Sequence, residues 1–318
     1  MFDVITIGET MILMEPVEDG PLKYVTTFKK KFGGAESNVA IGLARLGSRV
    51  GWISGLHNDS LGDYLISGIR GEGIDTSRII YKKNTENAMY IKERTRHGLN
   101  HVYYYRADSA ASALTFDDLD LDYLEQTKII HLTGITPFLS ESCLTLTRKV
   151  IQFAKEKNIF ISFDPNLRHK LMTRRSDAKE ILLELSSQAD LLLPGLDEAR
   201  FLTGLTEVKD IIHFFKSQGV KNIVIKDGEN GSYYSDENNN FGKIESFRVE
   251  RVIDPIGAGD GFAAGVINGL LKGMSLQEAV KQGALIGSLV VQVNGDVEGL
   301  PSIRVLEDIQ KGLNDVTR

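Results

Sequence analysis

Residues 254–271 read DPIGAGDGFAAGVINGLL. Gly257, Ala258 and Gly259 lead into a run of small and apolar residues that predicts a helix, with Asp260 at its start. The first N–H groups of a helix have no intrahelical acceptor, and glycines beside them let an anion approach the main chain. A carboxylate at the same place can take the proton of an attacking hydroxyl. A plainer reading competes: a glycine-rich turn feeding a helix whose Asp260 only complements the dipole. This stretch alone does not separate the two.

Short apolar runs at residues 4–7, 50–54, 129–132, 159–163, 191–193 and 223–225 read as buried parallel strands. Helical patterns at 144–155, 178–187 and 208–217 lie between them, so the order is a repeated βαβ. This predicts an α/β fold: a doubly wound, mostly parallel sheet covered by helices on both faces. Ligands of such sheets sit outside the carboxyl ends of the strands. The glycine-rich segments follow strands there. A second one, Gly33-Gly34-Ala35-Glu36-Ser37-Asn38-Val39-Ala40, opens another small-residue helix near the amino end.

One region breaks the rhythm. Residues 88–93 and 101–106 flank His97-Gly98-Leu99-Asn100 and read as a hairpin. With 13–17 and the stretch near 24–28, it predicts a small sheet inserted at about 10–32 and 87–108 into one domain spanning 1–318. On the second strand Tyr104 and Arg106 share one face, while Tyr103 and Tyr105 share the other. Tyrosines on strands commonly pack, so the functional reading needs a ligand that hydroxyls and a guanidinium would meet. A carboxylate is such a ligand, because an arginine fork matches it in two hydrogen bonds; Arg168 in FDPNLRHK is a second candidate cation.

At 318 residues, 42% apolar and 25% charged, the chain can bury a large core. A formal net charge of −6 argues against nucleic acid or a membrane surface as partner. Cys143 is the single cysteine, which leaves no internal disulfide and no cysteine zinc site. MFDVITIGETM has no basic stretch before an apolar one, and no apolar run approaches spanning length, so a reducing cytoplasm is expected. Asp117, Asp118, Asp120 and Asp122 lack the glycine and spacing of a calcium loop and read as helix caps. Asn238-Asn239-Asn240 reads as a turn, and His131 and Trp52 as packed.

Together, GGAESNVAIGLARLG and DPIGAGDGFAAG resemble the two signatures of the ribokinase-like (PfkB) family of ATP-dependent sugar kinases. GGAESNVA, MYIKER, YYYRADSAASAL, HLTGITP, SFDPNLR and NGDVEGLP extend the resemblance from Gly8 to Pro301, toward the branch acting on 2-keto-3-deoxygluconate. The resemblance implies that Gly34, Ala35, Glu36, Ser37 and Asn38 sit by the sugar. It further implies that Tyr90, Tyr104, Tyr105, Arg106, Arg168, Asp260 and Asp296 face a sugar acid, with Asp260 as the base. Lys226-Asp227-Gly228-Glu229-Asn230-Gly231 matches the family's K-x-G-x-x-G turn near ATP. Asn166, Leu167 and Arg168 match a segment near the phosphates, and Gly257, Ala258 and Gly259 match the anion hole. Magnesium and a small sheet that covers the sugar and joins two copies are implied as well.

Two departures qualify this. Gly195-Leu196-Asp197-Glu198 stands where the family usually has Asn-x-x-Glu, so only Glu198 remains to assist magnesium. Pro255 replaces a frequent threonine near a monovalent-cation loop and leaves potassium activation open. Other sugar kinases of the family (fructokinase, ribokinase, 5-dehydro-2-deoxygluconokinase) are the nearest alternatives. A dinucleotide-dependent oxidoreductase would need a GxGxxG fingerprint, which is missing, and a non-catalytic sugar-binding protein would be expected to lose Asp260.

Overall fold

Apolar runs without polar alternation have to be covered on both faces. In the computed structural model, which describes residues 1–94, 100–173 and 175–311, they form most of an eight-stranded sheet. Its strands run, edge to edge, Phe241–Ile244, Ser232–Ser235, Asn222–Lys226, Leu191–Leu192, Phe160–Asp164, Thr127–Thr133, Phe2–Ile7 and Val50–Ile53. The pairings from Asn222–Lys226 to Val50–Ile53 are all parallel, with Val4 level with both Val50 and Ile129. Alternate residues feed two separate cores. Ile5, Ile7, Ile130 and Leu132 pack against the helices Glu141–Glu156, Ala178–Ser187 and Val208–Ser217. Val4, Trp52, Ile129 and Val224 pack against Ala35–Arg45, Ser60–Gly71, Ala258–Leu271 and Leu276–Val290.

The small residues of GFAAGVINGLL have a packing reason. A methyl group on Gly265 would come within 2.7 Å of the Gly283 Cα, and one on Gly42 within 2.7 Å of the Ala264 Cβ. The helix that starts at the glycine-rich loop is thereby held tightly between its two neighbours.

Strands Ser232–Ser235 and Phe241–Ile244 pair antiparallel at the sheet edge and were not legible as apolar runs, because SYYS and FGKI are half polar. The turn between them holds Asn238-Asn239-Asn240, where Asp236 Oδ1 accepts from the N–H groups of Asn238 and Asn240.

A separate four-stranded sheet has the order Phe28–Gly33, Met11–Pro16, Met89–Arg94, Asn100–Tyr105. The first of these corrects the expected stretch near 24–28. Leu22–Tyr24 is a single 3₁₀ turn, and FKKKFG continues in register from Phe28 opposite Pro16 to Gly33 opposite Met11. The lysine run masks that strand in the sequence. His97, Gly98 and Leu99, expected as a turn, lie outside the described residues.

Asp118 and Asp120 cap short helical turns through Thr115 N and Tyr123 N, as expected for the acidic run. His131 is buried, with a pKa pushed down to about 3 by that burial, and Trp52 is fully covered. Among the described residues no helix is long and apolar enough to cross a membrane.

Candidate active site

The carboxyl ends of the parallel strands open into a cleft of about 510 Å³ that the small sheet overhangs. Its floor is the loop Asp254–Asp260. Gly257 has φ +81°, and a Cβ there would lie 2.2 Å from the Asp296 carbonyl oxygen, so only glycine fits. The Ile256 N–H donates to Asp254 Oδ1 (3.1 Å) and the Ala258 N–H to the Pro255 carbonyl (3.3 Å). Among the described residues no acceptor meets the N–H groups of Gly257, Gly259 and Asp260. These three donors, rather than an unbroken row from Ile256 to Gly259, form the anion cradle.

Asp260 follows in the first helical turn and is 9% exposed. Burial, reinforced by the Asp164 carboxylate, raises its pKa to about 7, although Asn38, Arg168 and Lys226 pull the other way. Asn38 Nδ2 donates to Asp260 Oδ2 at 2.7 Å, and Asn38 Oδ1 accepts from Gly34 N at 3.3 Å. The two glycine-rich segments, far apart in the chain, thus meet through one side chain.

On one side of Asp260 stands an aromatic and cationic wall. The Tyr90 hydroxyl donates to Asp296 Oδ2 at 2.6 Å, and its ring stacks on Tyr104 with centroids 5.9 Å apart. The Arg106 guanidinium lies 5.5 Å from the Tyr104 centroid, and its Nη2 is 2.6 Å from Glu9 Oε2. Glu9 in turn accepts from Ser109 Oγ at 2.5 Å. Arg106 is therefore already neutralised by a buried carboxylate. Arg168 also lines the cleft, and its side chain has no ion pair among the described residues.

On the other side, Lys226 Nζ pairs with Asp164 Oδ2 at 2.6 Å, while Asp164 Oδ1 accepts from Asn166 N at 3.0 Å. Burial disfavours the Lys226 charge, but Asp164 and Glu198 outweigh it and raise the pKa. Glu198 faces the cleft with its carboxylate fixed by Leu167 N on one oxygen and Gly195 N on the other, both at 2.7 Å.

Several expected site residues do not line this cleft. Tyr105 is 62% exposed and, with Tyr103, turns into the neighbouring groove, as strand alternation requires once Tyr104 faces inward. The Glu36 carboxylate is buried beneath the cleft on Thr133 Oγ1 and Thr136 Oγ1, and Ser37 Oγ donates to the Gly34 carbonyl. Leu167 contributes its N–H to Glu198 rather than to the cleft. Of the turn after Lys226, only Gly228 lines the cleft; Asp227, Glu229, Asn230 and Gly231 do not. Ala258 serves as the first residue of the helix. Gly34, Ala35, Asn166, Gly257, Gly259 and Asp296 do line it. Sequence reasoning missed Asp164, Glu9 and Lys92. Asp164 had a signal, a carboxylate at the carboxyl end of a buried strand; the other two are placed only by long-range pairing.

A carboxylate beside an anion cradle at the carboxyl edge of a doubly wound sheet is the arrangement of a phosphoryl-transfer enzyme. Residues 1–303 match the pfkB family of carbohydrate kinases, and the chain belongs to that family. It is 40% identical over 302 residues to the 2-dehydro-3-deoxygluconokinase of Bacillus subtilis, covering 94% of this chain and 93% of the relative. Its fold is similar to that of a PfkB protein from Polaromonas sp. JS666, with a TM-score of 0.88, 39% identity and coverage of 96% and 99%. A putative ribokinase II from E. coli, solved in complex with ATP and Mg²⁺, aligns at a TM-score of 0.90 and 25% identity over 98% of this chain and all of that one (100%).

Proposed function

We propose that the protein phosphorylates the terminal hydroxyl of 2-keto-3-deoxygluconate, with ATP as donor. The observation that carries this reading is the pairing state of the two arginines lining the cleft. Arg106 is held by Glu9, whereas Arg168 is left to meet a carboxylate on the substrate. A neutral hexose would bring nothing to match it. The likeness to the Bacillus subtilis enzyme supports the same substrate.

Asp260 takes the proton of the attacking hydroxyl, held toward the cleft by Asn38. The N–H groups of Gly257, Gly259 and Asp260 take the charge that develops on the transferred phosphoryl group. Lys226 adds a cation beside them. Magnesium, when bound with the nucleotide, neutralises phosphate charge and orients the chain. Glu198 lines the cleft with both carboxylate oxygens held by N–H groups, and is the residue that would take a water of such an ion rather than the ion itself. Tyr103 and Tyr105, exposed on the outer face of the small sheet, support a second copy docking there. Cys143, buried and unpaired, suits a reducing cytoplasm.

ADP release measured over 2-keto-3-deoxygluconate, 5-keto-2-deoxygluconate, fructose and ribose tests the assignment. The keto-deoxy acid is expected to give the highest kcat/KM. A preference for fructose or ribose would overturn the sugar-acid reading.

A further inference from the structure

Lys92 reaches from the small sheet into the floor of the cleft. It is 2% exposed, and its ammonium lies 2.8 Å from Asp296 Oδ1 and 3.2 Å from Asp254 Oδ2. The remaining oxygens of those carboxylates are also engaged. Asp254 Oδ1 accepts from Ile256 N inside the cradle loop, and Asp296 Oδ2 accepts from the Tyr90 hydroxyl on the sugar wall. The Asp296 backbone is the surface against which Gly257 makes its left-handed turn. One side chain of the overhanging sheet therefore holds both the loop that carries the free N–H groups and the acid that orients Tyr90.

We propose that Lys92 is a positioning residue for phosphoryl transfer: its ammonium fixes Asp254 and Asp296, and through them sets the cradle relative to the sugar wall. Without it, two buried carboxylates repel each other next to a site that must accept a polyanion. The loop then shifts at Ile256, whose N–H is tied to Asp254, and carries with it the N–H of Gly257, where the developing charge is met. This inference rests on the cradle reading above but not on the identity of the sugar.

The test uses the full chain with Lys92→Ala and Lys92→Gln, assayed with whichever sugar the wild type prefers. The media compare methylammonium chloride with sodium chloride at matched ionic strength. Lys92→Ala opens a space between two carboxylates that a small ammonium can enter; Lys92→Gln fills much of it without charge. A misplaced cradle is expected to lower kcat by about 10²-fold while KM for ATP changes little, and methylammonium to restore roughly tenfold in Lys92→Ala only. In the absence of substrates, methylammonium should raise the Tm of Lys92→Ala and leave that of the wild type unchanged. A kcat near that of the wild type in either variant, or a loss in Lys92→Ala that no amine relieves, would overturn the proposal. Should Lys92→Ala not fold, Lys92→Gln decides by its split between kcat and KM; an equal fall in stability and active fraction with normal kcat per site counts against it. If the wild type phosphorylates no sugar, the functional reading fails. The amine-dependent Tm of Lys92→Ala then still tests the cation position.

Discussion

Asn38 Nδ2 donates to Asp260 Oδ2 across 2.7 Å, joining side chains 222 positions apart in the chain. The bond orients the carboxylate and favours its ionised form, against the larger effect of burial. Burial, with a smaller contribution from the Asp164 carboxylate, sets the proton affinity of Asp260, and its pKa of about 7 places it where a general base works best. Asp260→Asn retains the size and the cradle, so kcat should fall by about 10²- to 10⁴-fold with KM for ATP nearly unchanged. Steady-state kinetics on a folded preparation check this, and near-normal turnover would remove Asp260 from the base role.

The same group makes both activity and stability depend on pH. The base must be ionised, so kcat/KM should rise with pH and level off above about 7. For stability the sign is opposite. The folded pKa lies above the ordinary 3.8, so the folded state binds the proton more tightly. The contribution is full below about pH 4 and is lost as pH rises through about 7. Tm curves of wild type and Asp260→Asn should therefore diverge over that window, and parallel curves would contradict the burial-driven shift.

The two cradle glycines differ. Gly257→Ala forces a β-carbon onto the Asp296 carbonyl at a positive φ, and should lose both stability and activity. At Gly259 a methyl group would meet only Lys226 Nζ at 3.7 Å, so Gly259→Ala should fold with a Tm near the wild type. Its activity should fall, because the methyl group sits beside the N–H groups that take phosphate charge. Thermal unfolding and kcat, measured on both, check the contrast.

Arg168→Leu removes the cleft cation that makes no ion pair among the described residues. Loss of a charge-assisted pair should lower kcat/KM for 2-keto-3-deoxygluconate by about 10²- to 10³-fold, with residual fructose activity changed far less. Glu9→Gln, which frees Arg106 from its pair, should instead perturb both sugars through misplacement of Tyr104. Unchanged discrimination in Arg168→Leu would sink the sugar-acid assignment and leave the kinase class standing.

Lys226 and Asp164 form another close pair in the cleft, with Asp164 3% exposed. Lys226→Met strands that carboxylate and should destabilise the protein by about 3 kcal/mol. Lys226→Met with Asp164→Asn should recover most of that stability but not the affinity for ATP. Urea unfolding and nucleotide titration separate the two effects.

Period and composition determined the parallel strands, the two packed faces and the glycine-rich loop before Asp260. Those depend on local chain geometry and on burial that is uniform along each strand. Alternation also carried the information that Tyr105 opposes Tyr104, which only needed one of them to be placed. The half-polar edge strands and the lysine-rich strand Phe28–Gly33 lacked an apolar signal, since one face or edge meets water. Which arginine of the cleft is paired with a buried carboxylate was decided by the tertiary structure alone. So was the fixing of Asp254 and Asp296 by Lys92, across 162 and 204 positions. Opposite charges attract over a few ångströms in space, and no spacing along the chain records which of them the fold will bring together.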